Sequence, residues 1–310
     1  MKKQNVYAVV AAMIWGAAFV AQDICAETLP PFIVNASRSL IAALFLLIIN
    51  AFIIVFKKKK GTYVKMTSSD RHSLIVGGML CGLFLTLATT CQQTGLSDTT
   101  SGKAGFITAL YIVIVPILGI FLKKKIPVSV WIGVALAVVG LYFLCIKDGF
   151  TTQISDILLI TCAFLFSLQI HFIDKFANIV DGFMLSLVQF VTMFVLSAVG
   201  VLIFEADRFD FVAVIDCILP ILFIGIFSSG VAYTLQIMAQ KDANSTVITL
   251  LLSLESVFSV LADAVIQKVF MGARPLIGCF FMLAAVVLAQ LPESFFIALK
   301  AKIRRPFSKA

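Results

Sequence analysis

Glu255 sits in the middle of VITLLLSLESVFSVLADAV, residues 247–265, with one other acid, Asp263, two turns on. A charge at the centre of a bilayer costs about 2.5–3.5 kcal/mol on insertion scales, so an acid there faces a cavity or a partner. Two roles fit the residue type: a carboxyl group that exchanges a proton or meets a cationic ligand group, or a hydrogen-bonded structural acid in a broken helix. Ser245, Thr249, Ser253, Ser256, Ser259 and Asp263 share one helical face beside it, a polar stripe that also reads as a packing seam. Lys103 lies about a turn before an apolar stretch, placed either to snorkel to water or to attract an anionic ligand group from a cavity. Arg38 stands two turns inside another apolar run, where outward pairing with Asp23 or Glu27 is the simpler expectation. Gln92 and Gln236 offer amides that donate and accept, useful for a zwitterion and equally for anchoring helix ends. Trp15, Tyr111, Gln169, His171 and Tyr233 complete the candidate binding or coupling set, with His171 one turn from Asp174 and so placed for an ordinary ion pair. His171 and His72 are the only histidines, and no metal-spaced Cys/His set, H-E-x-x-H, G-x-S-x-G or phosphate loop occurs. The expectation is therefore no enzyme, no metal and no cofactor, with any concentrative work drawn from an ion gradient, protons among the candidates, or from the substrate's own gradient.

The elements that position these residues are membrane spans. Of 310 residues, 61% are hydrophobic and 13% charged, and the mean hydropathy is +1.08. About 20 mostly apolar residues cross a bilayer as a helix, and polar breaks divide the chain into ten such runs. They extend roughly over 5–22, 32–56, 74–91, 99–122, 128–146, 156–173, 183–204, 218–238, 243–267 and 276–291. Lipid leaves backbone amides no partner, so these spans are expected to be helices, and the fold class an all-α integral membrane protein. The seven cysteines scatter through the spans as small apolar fillers, although Cys25 and Cys217 fall near the same side and could bond.

If the amino terminus is inside, 18 of the 24 Lys and Arg fall in cytoplasmic segments and 5 in outer ones, with Arg38 within a span. Basic loops stay cytoplasmic, which predicts both termini inside a plasma or inner membrane. The net charge of +8 then serves topology and anionic lipid, not nucleic acid. Trp15-Gly16 interrupts the first apolar run, and that run has a counterpart later in the chain, so it reads as a retained helix instead of a cleaved leader.

Sliding the chain against itself exposes an internal duplication. At an offset of 151, Ala12 meets Ala163, Asp23 meets Asp174, Phe32 meets Phe183 and Arg38 meets Gln189. At 144, Ala88 meets Ala232, Thr90 meets Thr234, Gln92 meets Gln236, Asp98 meets Asp242 and Leu110 meets Leu254. Five helices repeat as five, so the second copy enters the membrane from the opposite side, and the halves are related by a pseudo-two-fold axis in the membrane plane. The expected division is 1–147 for the first repeat, 148–292 for the second and 293–310 for a basic cytoplasmic tail. Inverted repeats of this kind bind a substrate near the midplane and alternate between two nearly equivalent states.

The WG pair of the first span, Arg38, QQTGLSDTTSGKAGFITALYIVIVP (92–116) and SLESVF (253–258) resemble the EamA family of the drug/metabolite transporter superfamily, and the resemblance runs over essentially the whole chain. It implies a ten-helix transporter that commonly exports amino acids or other metabolites, with a central cavity lined by helices 1, 3, 4, 6, 8 and 9 and a scaffold from 5 and 10. Two departures stand out: Leu254-Glu255-Ser256 where second repeats often read LEP, which removes the proline expected to kink helix 9, and Lys123 to Lys125 where an acid often follows helix 4. The alternative to transport is a membrane-embedded sensor or assembly partner that binds a small molecule without moving it.

Overall fold

The computed structural model describes residues 3–96, 101–145, 154–267 and 272–291. Among the described residues there are ten apolar helical spans, nine of them long and apolar enough to cross a membrane and α5 a shorter tenth: α1 Lys3–Thr28, α2 Pro31–Lys59, α3 Ser68–Leu96, α4 in two pieces, Ser101–Ala109 and Tyr111–Phe121, α5 Val128–Cys145, α6 Ile154–Phe176, α7 Gly182–Gly200, α8 Ile218–Gln240, α9 in two pieces, Ser245–Leu252 and Glu255–Gln267, and α10 Ala273–Gln290. No strand occurs among the described residues.

Several ends run past the apolar stretches. α3 begins at Ser68, six residues before Leu74, because Thr67 and Asp70 form a reciprocal capping box: the Asp70 amide donates to Thr67 Oγ1 (3.1 Å) and the Thr67 amide to Asp70 Oδ2 (3.2 Å). The α2 amino terminus, opened by Pro31, is capped from a distance by Glu205, whose carboxylate accepts from the amides of Phe32 (3.0 Å) and Ile33 (2.9 Å). Glu205 ends a π-helical turn, Val201–Glu205, at the close of α7, and Asp181 at the start of α7 caps that helix while meeting Lys57 of α2 at 3.4 Å. The antiparallel α2–α7 pair is thus tied at both ends.

Helix packing obeys the sequence duplication. α2 packs on α7 and α5 on α10, pairs that map onto themselves when five is added to each number. The remaining large contacts come in mates: α3 with α6 and α8 with α1, α3 with α7 and α8 with α2, α1 with α9 and α6 with α4. That is the signature of a two-fold axis relating two five-helix repeats, and with an odd number of spans in each the repeats are inverted. Exposed Leu44, Leu47, Ile48 and Phe52 of α2 face outward, as a lipid-bathed surface requires.

Both helices of the α4/α9 pair break, and they break at equivalent places. α4 is interrupted at Leu110, where the 107–110 and 110–113 bonds tighten, six residues before Pro116; the proline itself is carried inside the second piece. α9 is interrupted at Ser253–Leu254 although Ser256 stands where a proline was expected. The break follows the fold position and not the proline. Cys25 and Cys217 share one buried cluster as free thiols, so the disulfide envisaged for them does not form.

The scaffold pair α5–α10 approaches through glycine. A Cβ on Gly278 would lie 2.8 Å from the Gly140 carbonyl and 2.9 Å from the Leu144 amide, and one on Gly140 2.9 Å from the Gly278 carbonyl. Backbone cannot yield as a side-chain tip can, and overpacking costs about 1–3 kcal/mol or more. Gly278→Val is therefore expected to lower the thermal unfolding midpoint in detergent by several degrees. Gly272→Ala, with nothing within 4 Å of the added carbon, should leave it unchanged.

Candidate functional site

Where the two repeats face each other they leave a cavity with about 550 Å³ of empty space, its mouth included. Trp15, Phe19 and Gln22 of α1, Gln92 of α3, Thr108 and Tyr111 of α4, Phe166 and Ile170 of α6, Ser228, Tyr233 and Gln236 of α8, and Leu252 and Glu255 of α9 line it, with Arg38 of α2. These are helices 1, 3, 4, 6, 8 and 9 joined by one side chain from helix 2, and among the described residues α5 and α10 contribute none to the lining.

The offsets of 151 and 144 sort that lining into pairs: Trp15 with Phe166, Phe19 with Ile170, Gln92 with Gln236, Thr108 with Leu252, and Tyr111 with Glu255. The cavity therefore straddles the pseudo-two-fold axis. The last pair meets across it, for the Tyr111 hydroxyl donates to Glu255 Oε1 at 3.2 Å. Both residues are the first of the second helical piece, immediately after the breaks at Leu110 and Ser253–Leu254. A helix interruption at membrane depth is stable where it faces protein or a cavity, and it places a helix start beside the bound species.

Arg38 does not reach outward to Asp23 or Glu27. It is only 3% exposed, and Nε donates to Ser229 Oγ (3.0 Å), Nη1 to Gln22 Oε1 (3.0 Å) and Nη2 to Ser228 Oγ (3.3 Å). The hydroxyls come from a π-helical stretch of α8, Ile224–Ala232, a widened turn of the sort that recurs at functional sites. Gly225, whose added Cβ would lie 3.2 Å from the Arg38 carbonyl, lets α8 come close to α2. Ser228 also fixes the aromatic wall: its carbonyl accepts from Trp15 Nε1 at 3.1 Å, and the Trp15 ring stands edge-on to Tyr233 with centroids 4.8 Å apart.

The candidates thus divide. Trp15, Gln92, Tyr111, Tyr233, Gln236 and Glu255 are brought to one cavity, and the buried Oε1 of Gln236 has no hydrogen-bond partner among the described residues. Gln169 lies elsewhere, fully buried and donating to Gln189 Oε1 at 3.3 Å. His171 is not an ion-pair partner of Asp174; its Nε2 hydrogen-bonds the Val115 carbonyl at 3.0 Å, while Asp174 pairs with Lys124 and accepts from the Ser245 hydroxyl. The side chains of Lys103 and Asp263 lie outside the described residues. The hydroxyl stripe of α9 behaves as a seam: Thr249 and Ser253 bond back to the Ser245 and Leu250 carbonyls, and Gly16 of α1 comes close to Phe258 and Ser259. Gln22, Arg38 and Ser228 were not among the sequence candidates, and an arginine two turns inside an apolar helix was the signal that pointed to them. Among the described residues no group of three His, Cys, Asp or Glu could hold a metal ion.

Comparison with known proteins agrees with this architecture. The model of the EamA-like transporter family matches residues 2–146 and again residues 153–291. A protein of Archaeoglobus fulgidus described as an uncharacterized transporter is 33% identical over 285 residues, which is 90% of this chain and 83% of that one. A solved crystal structure with 17% sequence identity superposes with a TM-score of 0.73 over 93% of this chain and 96% of its own, a shared fold. With ten apolar helices in two inverted repeats and a family match in each half, the chain is a multi-pass membrane transporter and belongs to the EamA-like transporter family within the drug/metabolite transporter superfamily.

Proposed function

We propose that the chain is a secondary transporter that moves a small organic metabolite, an amino acid or related compound, by alternating access, and that it works as an exporter. The observation that carries this is the position of the cavity on the axis between the repeats, lined by five symmetry-related pairs. Exchanging the conformations of two inverted halves converts a site open to one face into the same site open to the other, so a midplane cavity lined by mates is what the mechanism needs. Two moving repeats, residues 1–147 and 148–292, with 293–310 as a basic tail, follow from the duplication, and the lysine and arginine distribution favours a cytoplasmic membrane with both termini inside. Export and the amino acid class are supported by the family alone. Protons are the co-substrate we favour, through Glu255.

The test is counterflow. Purified protein is reconstituted into proteoliposomes preloaded with unlabelled amino acids, nucleobases or amines, and labelled external compound is supplied. For a cognate compound, exchange is expected to exceed empty vesicles by about tenfold or more, since exchange needs only the loaded carrier to cycle between states. Saturable binding with no exchange for any compound would make the chain a sensor or assembly partner instead.

A further inference from the structure

The inversion symmetry that organises the cavity fails at one pole. Arg38 corresponds to Gln189, Gln22 to Ile173, Ser228 to Phe84 and Tyr233 to Thr89, so the polar end around α1, α2 and α8 has no mate around α6, α7 and α3. The comparison tests what Arg38 is for. At the equivalent helix contact Gln189 is fully buried and meets Gln169 as an amide pair, so that packing site needs no cation. On the other side a guanidinium is held 3% exposed, its hydrogen bonds among the described residues all to neutral oxygens of Gln22, Ser228 and Ser229. A buried charge without a counter-charge is strongly unfavourable. Each of its Nη atoms carries a second N–H beyond the bond described, and two parallel N–H groups are the fork that grips a carboxylate bidentately. Glu255, the acid that lines the same cavity, is bonded to Tyr111 and makes no ion pair with Arg38.

We propose that Arg38, preset by Gln22, Ser228 and Ser229, is the carboxylate-binding subsite of the cavity and determines that the carried molecule bears a carboxylate. The assignment deepens the transport reading and rests on it. The three bonds hold the guanidinium plane before ligand arrives, so little side-chain freedom is lost on binding. Phe19, Phe166 and Leu252 offer an apolar wall for the rest of the molecule, and because the pole has no mate, the carboxylate keeps the same partner in both states of the cycle.

Trp15 gives a direct readout, since the chain has two tryptophans and Trp131→Phe leaves it alone in the cavity. Quenching of its fluorescence in detergent is titrated with phenylalanine and leucine, and with phenethylamine and isoamylamine, which differ by loss of the carboxylate. The amino acids are expected to bind about 30-fold more tightly than the amines, the scale of a charged hydrogen-bonded pair. Arg38→Gln should bring phenylalanine down to the level of phenethylamine without moving phenethylamine itself, and Arg38→Lys should fall between. Equal binding of amine and amino acid by the unaltered Arg38 protein, equal weakening of both by Arg38→Gln, or no quenching by any of the twenty amino acids would overturn the proposal. The first comparison needs no variant at Arg38, so a folding defect cannot mask it. Carboxylate-selective binding without counterflow would remove the transport reading and leave the subsite standing; counterflow of a compound with no carboxylate would do the reverse.

Discussion

Glu255→Gln is expected to express and bind like the unaltered protein, and to strip a pH jump of its power to drive flux. Glutamine keeps an oxygen where Glu255 Oε1 accepts the Tyr111 hydroxyl, so the bond between the two broken helices persists while the exchangeable proton is gone. Glu255 is 8% exposed and the one carboxylic acid among the described residues that line the cavity. It opens the second piece of α9 and Tyr111 opens the second piece of α4, so the bond joins mates across the axis. A carboxyl group that gains or loses a proton there changes the contact that the two halves make with each other. Ligand-linked coupling is typically worth a factor of about 5–150, and the pH-driven component of flux in Glu255→Gln vesicles should fall within that range. Exchange without a pH gradient should persist. Two measurements settle it, expression and pH-jump flux in the same vesicles: loss of expression would make the residue a structural acid, and normal expression with an undiminished proton response would move coupling to another group, Asp263 or His171.

How far this site was legible in the sequence depends on what kind of signal each residue leaves. Ten helices and the five-plus-five duplication were readable because hydrophobic length and a shared offset persist over hundreds of residues. The same offsets pair Trp15 with Phe166 and Thr108 with Leu252, and the structure sets these mates on one cavity, so the repeat carried three-dimensional information that no single motif held. Local composition misled elsewhere. Pro116 is carried inside the second piece of α4 and does not mark its break, and the absence of a proline at Ser256 argued against a break in α9; both helices break where the axis passes, since the packing of the opposed half decides where the backbone is best interrupted. Arg38 was expected to snorkel because depth along a helix is visible in sequence and azimuth is not. Its rotation toward α8 depends on Ser228 and Ser229, nearly 200 residues away, on a π-helical stretch that no periodicity of 3.6 announces. Gln169 and His171 failed to reach the cavity for the same reason: they share α6 with Phe166 and Ile170 and point to other neighbours.

Tying Lys124 to Asp174 covalently is expected to stop exchange altogether. Asp174 lies one turn beyond Ile170 on α6, past the end of the cavity, and joins three of the helices that line it: its carboxylate pairs with Lys124, which follows α4, and accepts from Ser245, which opens α9. The neighbourhood is laced further, with Gln240 donating to the Ile170 carbonyl at 3.0 Å and the Asp242 amide to Asn178 Oδ1 at 2.9 Å. For the cavity to open at this end α4 must part from α6 and α9, and the Lys124–Asp174 contact is the ion pair that joins α4 to α6 across the two repeats, as Lys57–Asp181 joins α2 to α7. Magnitudes separate a lock from a latch. The two side chains are 36% and 18% exposed, so the pair is screened and worth about 0–1 kcal/mol. Asp174→Asn should then change the exchange rate no more than about fivefold. Reversing a two-state population from 99:1 needs about 5.5 kcal/mol, which a covalent tie exceeds and a screened ion pair does not approach. In a background with the seven native cysteines replaced, Lys124→Cys and Asp174→Cys are bridged with a bifunctional thiosulfonate, and counterflow is followed before and after reduction. Exchange should drop to the level of empty vesicles and return with reductant. Undiminished exchange in the bridged protein would mean that α4 and α6 stay together at this end throughout the cycle, and a carrier that alternates by separating its two repeats there would be the wrong description.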